Sequence, residues 1–215
     1  MTTKITTIIL CGLTALVFAV SVAVYAYLPE TVASHWNAAG EADGFMPKFW
    51  GVFLFPLLMA GLFVLYYIIP VIDPLKTNIE SFRKYYNAFW ILLFIFFAYL
   101  FALSMFWNFQ YRFNFTVAMI PAVALLLYAL GVILEHAKRN WFVGIRTPWT
   151  LSDDGVWEKT HRLGARLFKI AALIALLGIF FRDSVFVVMF LAVPAGVIAL
   201  VTVVYSYVVY RKVKP

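Results

Sequence analysis

Long apolar blocks separated by short polar stretches run the length of this chain. Five of them cover about residues 5–28, 49–72, 88–107, 115–134 and 185–210. Another begins as an amphipathic stretch near Trp157 and becomes fully apolar over about residues 170–181. An apolar run of roughly 18 or more residues is long enough to cross the hydrocarbon of a bilayer as a helix. Helix is the form such a run takes, because lipid offers no partner to an unpaired backbone group. The dyad alternation of a membrane barrel is missing. The pattern therefore predicts an all-α, polytopic integral membrane protein of about six transmembrane helices. Pro29 closes the first block because it cannot continue the hydrogen-bond ladder. That block is too long for the apolar core of a secretory signal, and no clean small-x-small site precedes Pro29, so it is expected to be retained as a span.

Composition agrees with the pattern: 65% of residues are hydrophobic and 13% charged, where a soluble domain is nearer half and a quarter. A single cysteine, Cys11, excludes a disulfide framework and a multi-cysteine zinc site; it reads as a small core-type thiol. The net charge of +7 changes the picture through its placement. With a cytoplasmic N-terminus, 14 basic residues lie inside: Lys4, Lys76, Arg83, Lys84, Lys138, Arg139, Arg146, Lys159, Arg162, Arg166, Lys169, Arg211, Lys212 and Lys214. Only 3 lie outside (Lys48, Arg112 and Arg182), together the full 17. The positive-inside rule then predicts N and C termini in the cytoplasm and a cytoplasmic (plasma) membrane location. Trp50, Trp90, Trp107, Trp141 and Tyr210 stand near block ends, as interfacial aromatics do. Membrane lipids are the expected partners of this charge, with no direct nucleic acid, since the loops are too short to fold a recognition module.

The apolar cores hold essentially no ionisable residue, which counts against a proton-coupled pump. Ser21, Ser104, Thr116 and Thr202 occur singly, as helix–helix or back-bonded hydroxyls do. No His-Glu-x-x-His, Gly-x-Ser-x-Gly or phosphate-binding glycine loop is present. His35 falls outside and His136 and His161 inside, about a hydrocarbon thickness of 30 Å away, so no shared metal site is expected. No catalytic residue and no cofactor are assigned.

Two loops are long enough to carry chemistry. The outer one, residues 29–48, places His35, Trp36 and Asn37 together, with Gly40 and Gly44 permitting turns. The cluster suits either a ligand site for a peptide or headgroup, or an interfacial cap. The inner one, residues 135–163, includes Asn140, Gly144, Arg146, Thr147, Pro148, Trp157, His161, Arg162 and Gly164. Thr147-Pro148 favours an extended path, and Ser152-Asp153-Asp154 is a helix start. Trp157, His161, Gly164 and Phe168 then share one helical stripe, with Glu158, Arg162, Arg166 and Lys169 on the next. The expected course is a helix lying across the interface before it enters the membrane. Arg146 either clamps a phosphate or carboxylate or ties to Asp153 or Asp154.

The pattern Asn140-x-x-x-Gly144-Ile145-Arg146-Thr147-Pro148, continued by Trp157-x-x-x-His161-Arg162-x-Gly164, resembles the SdpI immunity-protein family. His35-x-Asn37-x-x-Gly40 after a first span is similar to a small membrane domain of unknown function often fused to it. The resemblance implies two units, residues 1–75 with two spans and residues 76–215 with four. It also implies a non-enzymatic role: resistance to a secreted toxic peptide, with capture of a cytosolic winged-helix repressor. By the same resemblance the outer loop would sense the peptide and the inner loop would hold the repressor or a headgroup. Two other readings stay open from the residues alone. One is a membrane enzyme on a lipid-linked phosphate, with Arg146 holding phosphate and His161 and Asp153 or Asp154 moving protons. The other is a small transporter.

Overall fold

Backbone self-sufficiency in lipid dictates the architecture. The computed structural model describes residues 2–181 and 184–213; Arg182 and Lys214 of the charge count lie outside them. Helices α1 (Thr3–Tyr25), α2 (Lys48–Ile72), α4 (Arg83–Asn108), α5 (Phe115–His136), α7 (Asp154–Leu177) and α8 (Ser184–Val213) form the bundle. Among the described residues, six helical segments are long and apolar enough to span a bilayer. Two short helices, α3 (Lys76–Ser81) and α6 (Pro148–Ser152), lie in the connections at one end. Pro56, Pro70, Pro121 and Pro194 sit inside spans, where neighbouring groups can compensate for the lost N–H.

The spans agree with the apolar blocks to within a few residues, with informative differences. Helix α1 stops at Tyr25 rather than at Pro29, and Leu28 turns inward to a buried position. Helix α4 starts at Arg83, because Tyr86 and Asn87 are fully buried and belong to its packed face. The amphipathic and apolar parts of the fifth span are one unbroken helix, α7, rather than an interfacial piece followed by a membrane piece. Its 24 residues extend about 36 Å, longer than the roughly 30 Å of a bilayer's hydrocarbon.

The outer loop is not a plain loop. Strands β1 (Thr31–Trp36) and β2 (Ala42–Pro47) pair antiparallel, Val32 opposite Met46 and Ala33 opposite Phe45. The register is irregular between Ala33 and Trp36, a bulge that re-aims side chains next to a site. The all-α bundle thus carries one small β-hairpin at the end opposite α3 and α6.

A continuous apolar core links Leu10, Val17, Met59, Tyr66, Tyr86, Phe94, Phe101, Ile133 and Trp157. Polar side chains tie its helices together. Ser21 Oγ donates to the Val52 carbonyl at 3.1 Å, Tyr66 Oη to Asn87 Oδ1 at 3.0 Å, and Tyr86 Oη to the Tyr66 carbonyl at 2.9 Å. Thr202 back-bonds to the Ile198 carbonyl at 2.8 Å. Two of these bonds, Tyr66–Asn87 and Tyr86–Tyr66, cross the 75/76 position, so the first two spans and the remainder share one core.

Candidate functional site

The inner loop is organised by short polar side chains. Buried Asn140 accepts from the Phe142 and Val143 amides at 2.9 and 2.6 Å and donates to the Lys138 and Val143 carbonyls, both at 2.8 Å. Asp73, at the end of α2, accepts from the Trp141 amide at 2.9 Å and the Leu75 amide at 2.6 Å. Asn78 of α3 donates to the Arg139 carbonyl at 2.7 Å. Sequence reasoning did not single out Asp73, Asn78 or Arg139. The available signal was Asp73-Pro74 at a helix end, a common site for backbone capping by a carboxylate.

The loop then runs onto α7. Gly144 has φ +130°, and a Cβ there would lie 2.3 Å from His161 Nε2 and 3.1 Å from the Trp157 ring. His161 Nε2 accepts from the Ile145 amide at 3.0 Å. That role puts the ring hydrogen on Nδ1, which donates to the Trp157 carbonyl at 2.9 Å. The two rings stack at 3.9 Å, and Trp157 Nε1 donates to the Ala137 carbonyl at 2.8 Å. At Gly164 a Cβ would come within 2.5 Å of Ile145 Cδ1, so this position admits the loop against the helix. Thr147 is extended and caps α6 in a reciprocal box with Thr150, with Pro148 in its first turn. Thr147 Oγ1 also donates to Ser206 Oγ of α8 at 3.0 Å. Asn140, Thr147, Trp157, His161 and Gly164 are therefore buried in a clamp that fastens the loop to α7 and α8.

The charged members differ. Arg146 is exposed and donates Nη1 to the Trp141 carbonyl at 2.7 Å. It ties to neither expected acid. Asp153 caps α7 through the Gly155 and Val156 amides. Asp154 instead meets Arg139, Nε to Oδ1 2.8 Å, as a charge contact rather than an aligned hydrogen bond. Arg162 pairs with Glu158 at 2.6 Å, the expected one-turn spacing. Beside them a cavity of about 560 Å³ opens between the end of α5 and the first turns of α7. Its charged lining is Glu135, Lys138, Arg139, Asp154, Glu158, Arg162, Arg166 and Lys169.

At the opposite end the hairpin docks on α4 and α5. Asn108 Oδ1 accepts from the Ala33 amide at 2.8 Å, and its Nδ2 donates to the Ala33 carbonyl at 3.2 Å. Asn37 shapes the turn: its amide donates to the Glu41 carbonyl at 2.8 Å, and its own carbonyl accepts from Gly40 N and Thr116 Oγ1, both at 2.9 Å. Gly40 has φ +78°, and a Cβ there would lie 2.2 Å from Asn114 Oδ1. Trp36 stacks on Phe115 at 3.8 Å and meets Trp107 edge-on, leaving its buried Nε1 without a partner among the described residues. His35 alone of the expected outer residues faces solvent, 2.5 Å from Asp43.

Comparison with known proteins finds similarity at both ends of the chain. Residues 136–206, which include the clamp, α7 and most of α8, match the SdpI/YfhL protein family. Residues 12–60, which include the hairpin, match a domain of unknown function, DUF1648. Immunity protein SdpI of Bacillus subtilis (strain 168) is 26% identical over 209 residues, 97% of this chain and 95% of that relative. No solved structure matches. The chain is thus a multi-pass plasma-membrane protein similar to an immunity protein along almost its whole length, with its clamp and last spans in the segment that matches the SdpI/YfhL family model.

Proposed function

We propose that this protein is a non-enzymatic membrane immunity protein that protects its cell from a secreted toxic peptide met at the hairpin face. The observation that carries the reading is the near full-length similarity to Immunity protein SdpI. The clamp supports the non-enzymatic part. Both ring nitrogens of His161 are bonded to backbone in a buried stack, which leaves it no free position for proton transfer to a substrate. On the outer side the exposed His35–Asp43 pair and the shallow space beside Glu41, Trp107 and Arg112 are where a peptide would be met. On the inner side the exposed Trp141 and Arg146 offer an aromatic and a cation for capture of a cytosolic winged-helix repressor.

Expression in a host sensitive to such a peptide tests the proposal. The killing threshold should rise severalfold, and H35A/R112A should lower it without loss of membrane-inserted protein. Unchanged killing, together with no peptide bound to the purified protein, would end this reading. W141A/R146A should abolish recruitment of the repressor to the membrane while protection persists.

A further inference from the structure

We infer that the cavity between α5 and α7 seats the anionic phosphate headgroup of a membrane phospholipid. Its lining has five basic side chains and three carboxylates. The three carboxylates are all engaged: Glu135 with Lys169 at 2.5 Å, Asp154 with Arg139 at 2.8 Å and Glu158 with Arg162 at 2.6 Å. Lys138 and Arg166 remain, both exposed and both without an ion-pair partner among the described residues. The cavity is therefore lined by polar groups with an uncompensated charge of about two, which suits a phosphodiester.

Position selects lipid over a soluble anion. The seam is sealed at Gly131, where even a Cβ would lie 2.8 Å from the Ala165 carbonyl and from Lys169 Cγ. Above that seal the helices part and the polar space opens. Below it, α7 presents Ile170, Leu173 and Leu177, and α5 presents Tyr128 and Leu125, all exposed. Arg166, Ile170, Leu173 and Leu177 follow one another at helical spacing, a cation at the head of an apolar stripe. A diacyl lipid fits this order, with its chains along the stripe and its phosphate at Arg166 and Lys138. The clamp holds one wall of the site, since Trp157 and His161 also line it. Arg146, the phosphate candidate from sequence, is not part of this lining.

The test uses the full chain in nanodiscs of phosphatidylcholine with or without phosphatidylglycerol. The readouts are lipid retained by native mass spectrometry and thermal unfolding. The wild type should retain phosphatidylglycerol severalfold over phosphatidylcholine and unfold at a higher temperature with it. K138Q and R166Q should each weaken that preference roughly fivefold, and the double variant more. R211Q/K212Q removes equal charge from the same end of the bundle but outside the cavity, and should leave the preference intact. If that control falls as far as K138Q/R166Q, a diffuse surface field replaces the site and the inference is overturned. Equal retention of both lipids overturns it too. So does stabilisation by inorganic phosphate or a soluble polyglutamate peptide that matches phosphatidylglycerol. None of these readouts involves toxin protection, so failure here leaves the immunity proposal standing, and the reverse.

Discussion

His161 occupies the position in the inner motif where an acid–base residue would be sought, yet its contacts are those of a spacer with two fixed ends. Its Nε2 takes the Ile145 amide, and its Nδ1 returns to α7. His161→Phe keeps the stack on Trp157 but orphans that part-buried amide; an unsatisfied donor costs up to about 1–3 kcal/mol when fully buried, and less here. The variant should unfold at a lower temperature in detergent while retaining its membrane insertion. Gly144→Ala should be worse, because the backbone is at φ +130° and the new methyl has no space against the His161 ring. By contrast, Arg146→Ala loses one exposed bond to the Trp141 carbonyl and should melt like the wild type. Thermal unfolding of the three variants side by side checks the ranking. A wild-type melting temperature for Gly144→Ala would contradict the clamp.

At the scale of elements, the hairpin and the spans were legible to different degrees for one physical reason. A span needs only uninterrupted apolar length, so the blocks located the helices; only details set by packing, such as the burial of Tyr86 and Asn87 that lengthens α4, escaped. Strand β2 reads Ala-Asp-Gly-Phe-Met-Pro, a composition with low intrinsic strand preference. It pairs because Asn37 and Gly40 close the turn and Asn108 holds the partner strand from α4. The residues around Gly40 were therefore visible as a turn, while the strands depended on a contact 75 positions away. Of the candidate inner residues, Trp157, His161 and Gly164 were legible together because they share one helical stripe, and the loop residues through the motif that precedes it; their role as a clamp was not, since Asp73 and Ser206 come from other helices. Asn108→Leu should free the Ala33 backbone groups and raise amide exchange across residues 31–47, leaving the spans protected. Exchange measured on the reconstituted protein decides it; unchanged protection of the hairpin would mean that Trp36 stacking alone docks it.

For the whole molecule, orientation follows from where cations can be left during insertion. Moving a basic side chain through the hydrocarbon is costly, so the 14-to-3 division of Lys and Arg favours one orientation. The fold gathers that charge consistently: the chain start, α3, the clamp and the end of α8 lie at one end of the bundle, and the hairpin lies at the other. Lys48, a cation at the hairpin end, is compensated there by Glu30 at 2.9 Å and sits over the Tyr25 ring, so it should add little to the pull on topology. Two exposed positions report the two ends, His35 in the hairpin and Ser152 beside the clamp. In a Cys11→Ser background, a membrane-impermeant maleimide added to intact cells should modify His35→Cys and spare Ser152→Cys. Opening the cells should make both reactive. Labelling of both positions in intact cells would place the hairpin and the clamp in one compartment, and the peptide-facing and cytosol-facing roles assigned to the two ends would fall together.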